Sequence, residues 1–377
     1  MVILFWFAFS FIVYTLVGYP TLLWIVSLFR RRTHERQPIY PTVSVIIVAH
    51  NEAAIIRDKI RNTLAFEYPK DKLEIIVGSD GSRDNTVEVI RSYAQEGVKL
   101  VESVERRGKH HLQMLARDTA CGEMLVFTDT SIHTEPNVLA KMVSHFADDS
   151  IGAVSSVDKV FDTKKGWMGE HFYVYGEMGL RRLEAQVSSL VSLSGALFAV
   201  RRSLCDGWHP DQSSDFFLAL HTVAKGLRAV IDPECPASLG VVRSEKAELS
   251  RKVRTIVHGL VVFFSHLALL NPFRYGLFSW QLASHKLFRW LLPFGVLAVL
   301  ISNIFLWKAG LFYRVFLALQ LTGYVAGLLS RLGGRAARLG LLKLASFFLL
   351  GNVATLVAWW KFCSGDKFVL WEPSRRS

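Results

Sequence analysis

Three acidic residues stand where chemistry could be done. Glu52 follows the apolar run Ser44–Val45–Ile46–Ile47–Val48, Asp80 lies in Gly78–Ser79–Asp80–Gly81–Ser82, and Asp129 follows Leu125–Val126–Phe127–Thr128. Carboxylates at the ends of successive strands can converge on one crevice, where they bind a base or ribose or hold a hard divalent cation. Each also has a structural reading: Asp80–Gly81 is a turn dipeptide and Asn51 a good helix cap. Their matching positions favour the functional one. A fourth carboxylate, Asp215, precedes the helical run Leu218, Leu220, Val223 and Ala224. It reads either as a helix-start charge that suits the dipole or as a general base. In Arg251–Lys252–Val253–Arg254, two guanidinium groups at i and i+3 share a helical face. They suit a diphosphate clamp or a membrane-surface charge. Lys109, in Arg106–Arg107–Gly108–Lys109, has the same two readings.

The elements that must carry these residues follow from the apolar pattern. Ser44–Val48, Leu73–Val77 and Met124–Phe127 are short, β-rich apolar runs and predict buried strands. Ile55, Ile56, Ile60 and Leu64 recur at helical spacing after the first, and Val87, Ile90 and Tyr93 after the second. Alternation of strand and helix predicts an α/β domain over about residues 41–254 with a mostly parallel, doubly wound sheet. Ligands of such sheets bind at the carboxyl ends of the strands.

Flanking this domain the chain becomes apolar. Residues 1–29 carry no charge, and the stretch ends in Arg30–Arg31–Arg32. A span needs roughly 20 apolar residues, and a retained anchor over 1–30 with a following basic cluster places the domain in the cytoplasm and the N-terminus outside. Trp290–Trp307, Val315–Ser330 and Leu344–Trp360 predict three further spans within 290–361, before a tail over 362–377. Thr255–Asn271 has His258, Ser265 and His266 on one face and reads as an interfacial amphipathic helix within 255–289. That choice keeps the basic Arg331–Lys343 loop inside and puts the tail outside. The formal net charge of +12 collects beside apolar segments, as at Arg30–Arg32 and at Arg331, Arg335 and Arg338, so membrane lipid rather than nucleic acid is the expected partner. The four cysteines form no C-x-x-C pair, which argues against a structural zinc site.

Taken together, these residues resemble a membrane-integrated family 2 glycosyltransferase of the exopolysaccharide, hyaluronan and chitin-oligosaccharide synthase type. The resemblance implies a GT-A fold, Rossmann-like with a mostly parallel sheet, in a cytoplasmic domain followed by α-helical transmembrane segments. Val43–Glu52 resembles the first strand with its nucleotide-contacting Glu52, and Asp80–Gly81–Ser82 the motif that contacts uracil or ribose. Gly108–Lys109 resembles the basic turn near the nucleotide, and Ser194–Phe198 the acceptor-side loop. Asp129 matches the first Asp of the metal-binding D-x-D, Asp215 the catalytic base, and Arg251 and Arg254 the donor pyrophosphate motif. Three positions depart from the family pattern: Ser131 replaces the second Asp of D-x-D, Ser214 the acidic residue often found before the base, and Thr255 the Trp that closes the pyrophosphate motif of many processive polymerases.

The resemblance implies an inverting transferase that uses Mg2+ or Mn2+ and a nucleotide-diphosphate sugar, a UDP-sugar first among them, to extend a growing polysaccharide at the plasma membrane. A single-sugar transferase acting on a ceramide- or polyprenyl-type lipid is the alternative acceptor reading. Ser131 also admits an inactive assembly or export partner that keeps the fold. A channel would leave the large polar domain unexplained.

Overall fold

A computed structural model describes residues 1–160, 168–239, 245–331 and 340–366. Arg335, Arg338, Lys367, Arg375 and Arg376, whose charge enters the topology argument, lie outside the described residues.

The polar domain is built on one seven-stranded sheet: β1 (Val43–Ala49), β2 (Leu73–Asp80), β3 (Val98–Ser103), β4 (Met124–Asp129), β5 (Ile151–Val160), β6 (Leu197–Arg201) and β7 (Arg228–Leu239). Their order is β3-β2-β1-β4-β6-β5-β7. β1 pairs in parallel with β2 and β4, and β2 with β3; β6 runs antiparallel between β4 and β5, and β7 is parallel to β5. The sheet is therefore mixed on one side and purely parallel on the other.

Every residue of β1 is buried, as a strand with helices on both faces requires. Side chains alternate across a strand, so Val45 and Ile47 pack with Ile56 and Ile60 on one face, while Ile46 and Val48 pack with Leu112 and Ala116 on the other. Each such side chain contributes on the order of 1.5–3 kcal/mol of burial. The helices Ala53–Leu64 and Lys109–Thr119 thereby lock onto opposite faces of the sheet. Their amino ends sit over the carboxyl ends of the strands.

Among the described residues four helices are long and apolar enough to cross a membrane: Val2–Phe29, Leu277–Phe305, Leu311–Ser330 and Leu342–Cys363. The second begins well before Trp290, and the helix Glu245–Ser265 runs straight through residue 254 rather than breaking there. Its Val253 and Val257 pack on Ala354 and Ala358 of the last membrane helix. The first helix is fastened by polar contacts: the Trp280 indole donates to Tyr14 Oη at 2.8 Å, and Tyr19 Oη donates to the buried Glu184 at 2.6 Å. The polar domain and the apolar helices thus share side-chain contacts on both flanks of the chain.

Candidate active site

β1 ends at Ala49, and the chain turns sharply through His50–Asn51–Glu52. Asn51 has φ 52°, a left-handed conformation that Asn tolerates better than most residues. The turn is stitched to the one after β2. Asn51 N–H donates to Ser82 Oγ at 3.1 Å, Asn51 Oδ1 accepts from Arg83 N–H at 2.8 Å, and Glu52 N–H donates to Thr86 Oγ1 at 2.9 Å. Glu52 Oε1 accepts from Thr130 Oγ1 at 2.8 Å, but the buried Oε2 has no hydrogen-bond partner among the described residues. Burial pushes this carboxyl up to about 7, with nearby Asp129 adding to the push and the Thr130 hydrogen bond opposing it.

Asp80 is completely buried, and its carboxylate faces the backbone. Oδ1 accepts from Arg107 N–H at 2.8 Å and Oδ2 from Gly108 N–H at 2.9 Å. Gly81, at φ +59°, lets the chain pass closely: a Cβ there would lie 2.7 Å from the Arg106 nitrogen. Asp80 therefore folds the basic turn, and Lys109 starts the next helix from it. Lys109 Nζ lies 2.5 Å from Asp129 Oδ1, with both side chains mostly covered. The structure thus brings Glu52, Lys109 and Asp129 together, with Asp80 one layer behind them.

The Asp129 turn is held from below by Lys59, which the sequence did not single out. Its ammonium is 1% exposed and donates to Thr128 Oγ1 at 3.0 Å and to the Ile132 carbonyl at 2.6 Å. Burial lowers it to about 7. Its sequence signal was weak: a lysine three positions after Ile56 and one before Ile60, on the apolar face of a helix.

Asp215 is the second residue of the helix Ser214–Ala224 and is partly exposed. Leu193 N–H donates to its carbonyl at 3.3 Å, and a Cβ placed on Gly195 would lie 3.5 Å from its Oδ2. Two bonds along the same loop, the Ala196 carbonyl accepts the Asp129 N–H at 3.1 Å. One loop therefore holds the Asp129 strand end and the Asp215 backbone, with Gly195 beside the Asp215 carboxylate.

Arg251 and Arg254 lie on the helix Glu245–Ser265. Arg251 forks onto Glu248, with Nε and Nη2 donating at 2.9 and 2.8 Å, and Lys252 joins the same carboxylate at 3.1 Å. Burial alone would lift Glu248, but these cations bring it down to about 2. One turn past Arg254, the His258 ring lies 5.5 Å from that of His110, the neighbour of Lys109. Burial, with His258 and Lys109 adding to it, holds His110 well below the usual imidazole range. This contact brings the helix bearing Arg251 and Arg254 against the start of the helix bearing Lys109.

Residues 44–207 match the family described as Glycosyl transferase family 2. The chain contains a family 2 glycosyltransferase domain. A beta-monoglucosyldiacylglycerol synthase of Trichormus variabilis is 27% identical over 222 residues, covering 53% of this chain and 46% of the relative. An N-acetylglucosaminyltransferase of Mesorhizobium japonicum is 25% identical over 235 residues, covering 57% and 55%. The chain spans about half the length of the curated relatives it matches. Among solved structures, a mannosyltransferase from Pyrobaculum calidifontis in complex with GDP-Man and Mn2+ has a TM-score of 0.72 and 26% identity. The likeness covers 96% of this chain and 99% of that one, so it extends through the apolar helices as well as the sheet.

A divalent cation suits the family 2 domain as the structure presents it. Asp129 and the unpartnered Glu52 Oε2 are hard oxygen donors beside one another. Among the described residues no three His, Cys, Asp or Glu side chains converge as a metal cage. That donor set fits Mg2+ or Mn2+, ions that bind through one or two carboxylates and complete their shell with water and substrate phosphate.

Proposed function

We propose that this chain is a membrane-bound glycosyltransferase that moves a sugar, with inversion, from a nucleotide-diphosphate donor to an acceptor at the cytoplasmic membrane surface. The observation that carries the reading is the loop that joins Gly195, facing the Asp215 carboxylate, to the Ala196 carbonyl held by Asp129 N–H. It places adjacent residues beside a candidate base and at the strand end of a candidate phosphate-side carboxylate. In the proposed reaction the acceptor hydroxyl attacks the anomeric carbon, its proton passes to Asp215, and the bond from that carbon to the phosphate oxygen breaks. The nucleoside diphosphate leaves, and Lys109, Arg251 and Arg254 stabilise its charge. A divalent ion held at Asp129, with Glu52 beside it, would supply further Lewis-acid stabilisation of that leaving group.

The GDP-Man of the structural neighbour adds guanosine donors to the uridine donors expected from sequence. For the acceptor, a lipid-anchored molecule gains support beside a growing polysaccharide. Lys286, on the second membrane helix, donates to Ser192 Oγ at 3.3 Å, so a span reaches the loop next to Asp215. The name of the Trichormus variabilis relative, a beta-monoglucosyldiacylglycerol synthase, points the same way. The cytoplasmic placement rests on Arg30–Arg31–Arg32 directly after the first span.

The test is a screen of uridine and guanosine donors with Mg2+ or Mn2+ on detergent-purified protein, scoring released diphosphate and product mass. One added sugar identifies a single transfer, and a ladder a polymerase. Asp215→Asn should lower transfer on the order of 10²–10⁴-fold while keeping nucleotide binding. Unchanged transfer in that variant removes Asp215 as the base. Silence of the wild type with every donor would leave the inactive assembly-partner reading.

A further inference from the structure

The cations assigned to the donor diphosphate already hold anions of the protein itself. Lys109 sits on Asp129, and Arg251 on Glu248. The Lys109 pair is the more consequential, because its carboxylate is the candidate metal ligand. An ammonium 2.5 Å from Asp129 Oδ1 and a divalent cation on the same oxygen repel each other at short range, in surroundings that screen them poorly. The side chains of Lys109 and Asp129 are only 15% and 29% exposed.

We propose that Lys109 is an exchangeable counter-ion: it neutralises Asp129 in the free protein, and it moves to the donor diphosphate when a divalent cation takes Asp129, so that metal and nucleotide bind cooperatively. The proposal rests on the donor-site reading given above and adds to it the coupling between the two ligands.

The architecture suits such an exchange. The backbone below Lys109 is fixed, because Asp80 holds the Arg107 and Gly108 N–H groups and Gly108 takes the positive φ of 96° that starts the helix. Only the four-carbon side chain has to swing. Its departure needs an anion to receive it, and a diphosphate provides one. The metal in turn needs Asp129 free and finds Glu52 Oε2 near it, without a hydrogen-bond partner among the described residues. Each ligand therefore removes the obstacle to the other, and linkage makes the effect reciprocal. Arg251 repeats the arrangement on the helix Glu245–Ser265, where the diphosphate displaces Glu248.

The experiment needs no turnover. Mn2+ alone is titrated into detergent-purified full-length protein and followed by loss of the free-ion electron paramagnetic resonance signal. UDP and GDP are titrated separately in the presence of EDTA by calorimetry. In Lys109→Met, which keeps side-chain length, Mn2+ alone should bind about 10-fold tighter than in wild type, while the diphosphates without metal bind about 10-fold weaker. The opposite signs separate exchange from general damage to the site. Adding Asp129→Asn to Lys109→Met should abolish the gained Mn2+ affinity. Mn2+ binding to Lys109→Met that is no tighter than to wild type overturns the proposal, as does a gain that survives the double substitution. Lys109→Gln serves as a second variant if the Met protein does not fold. Failure of the glycosyl-transfer reading would show instead as absent diphosphate release with every donor, and it would leave these binding measurements standing.

Discussion

Glu52 shows how much the setting of one side chain can demand. Its carboxyl is drawn up to about 7 from an ordinary 4.5, because burial and Asp129 both oppose its charge. Between those two values the folded chain keeps a proton that the unfolded chain has released, so stability falls as pH rises through that window. Glu52→Gln removes the titration and keeps an oxygen to accept from Thr130. The variant should therefore show a flatter stability profile from pH 4.5 to 7 and melt higher than wild type at pH 8. Thermal unfolding in detergent across that range checks it; a wild-type profile flat over the window would contradict the assignment. Sequence exposed the carboxylate residues because each closes an apolar run. It did not expose which lysines hold the Asp129 strand end. The pairing of Lys109 with Asp129 joins residues 20 positions apart, and that of Lys59 with Thr128 residues 69 apart. Only Glu248 was open to a spacing rule, lying three residues before Arg251 and four before Lys252.

Among the elements, β3 (Val98–Ser103) has no apolar run of its own, whereas the other three strands of the parallel half, β1, β2 and β4, were legible because each contains a short apolar run followed by a charged or polar turn. The antiparallel β6 between β4 and β5 was not. Leu197–Arg201 is five residues long, and its place in the sheet is decided by its pairing with β4 rather than by any local pattern. The turn after β2 carries the clearest test at this scale. The nucleotide contact expected of Asp80 from the resemblance and the backbone role seen here predict different outcomes for Asp80→Asn. The new amide keeps one acceptor but presents N–H to the Arg107 or Gly108 N–H, leaving a buried donor unpaired at a cost of about 1–3 kcal/mol. The variant should melt several degrees lower in the absence of any nucleotide, and the displaced Lys109 should weaken diphosphate binding as well. Weakened binding with an unchanged melting temperature would favour a direct contact. Gly81→Ala, clashing with the Arg106 backbone, should reproduce the Asp80→Asn behaviour.

For the whole molecule the decisive question is which side of the membrane each part occupies. The proposed topology starts from a cytoplasmic domain after the first span, fixed by Arg30–Arg31–Arg32. Leu277–Phe305 then leads out and Leu311–Ser330 leads back in. The end of Leu342–Cys363 lies on the side of the polar domain, where the Phe362 ring stacks on Phe264 at 5.2 Å and packs on the domain core, so the outward tail expected from sequence does not hold. The basic stretch around Arg331–Lys343 falls inside, while the short connection between the second and third spans, with Lys308 in it, falls outside. The cysteines report on this arrangement without any engineering. Cys121 is exposed in the polar domain and Cys363 is exposed at the end of the last span, whereas Cys205 and Cys235 are buried. A membrane-impermeant maleimide applied to intact cells should therefore label neither Cys363 nor Cys121 until the membrane is opened. Cys363→Ser and Cys121→Ser should each remove part of the signal that appears after permeabilisation. Labelling of Cys121 in intact cells would turn the whole molecule over. It would place the Lys109–Asp129 site outside, away from the cytoplasmic supply of nucleotide sugars on which the proposed reaction depends.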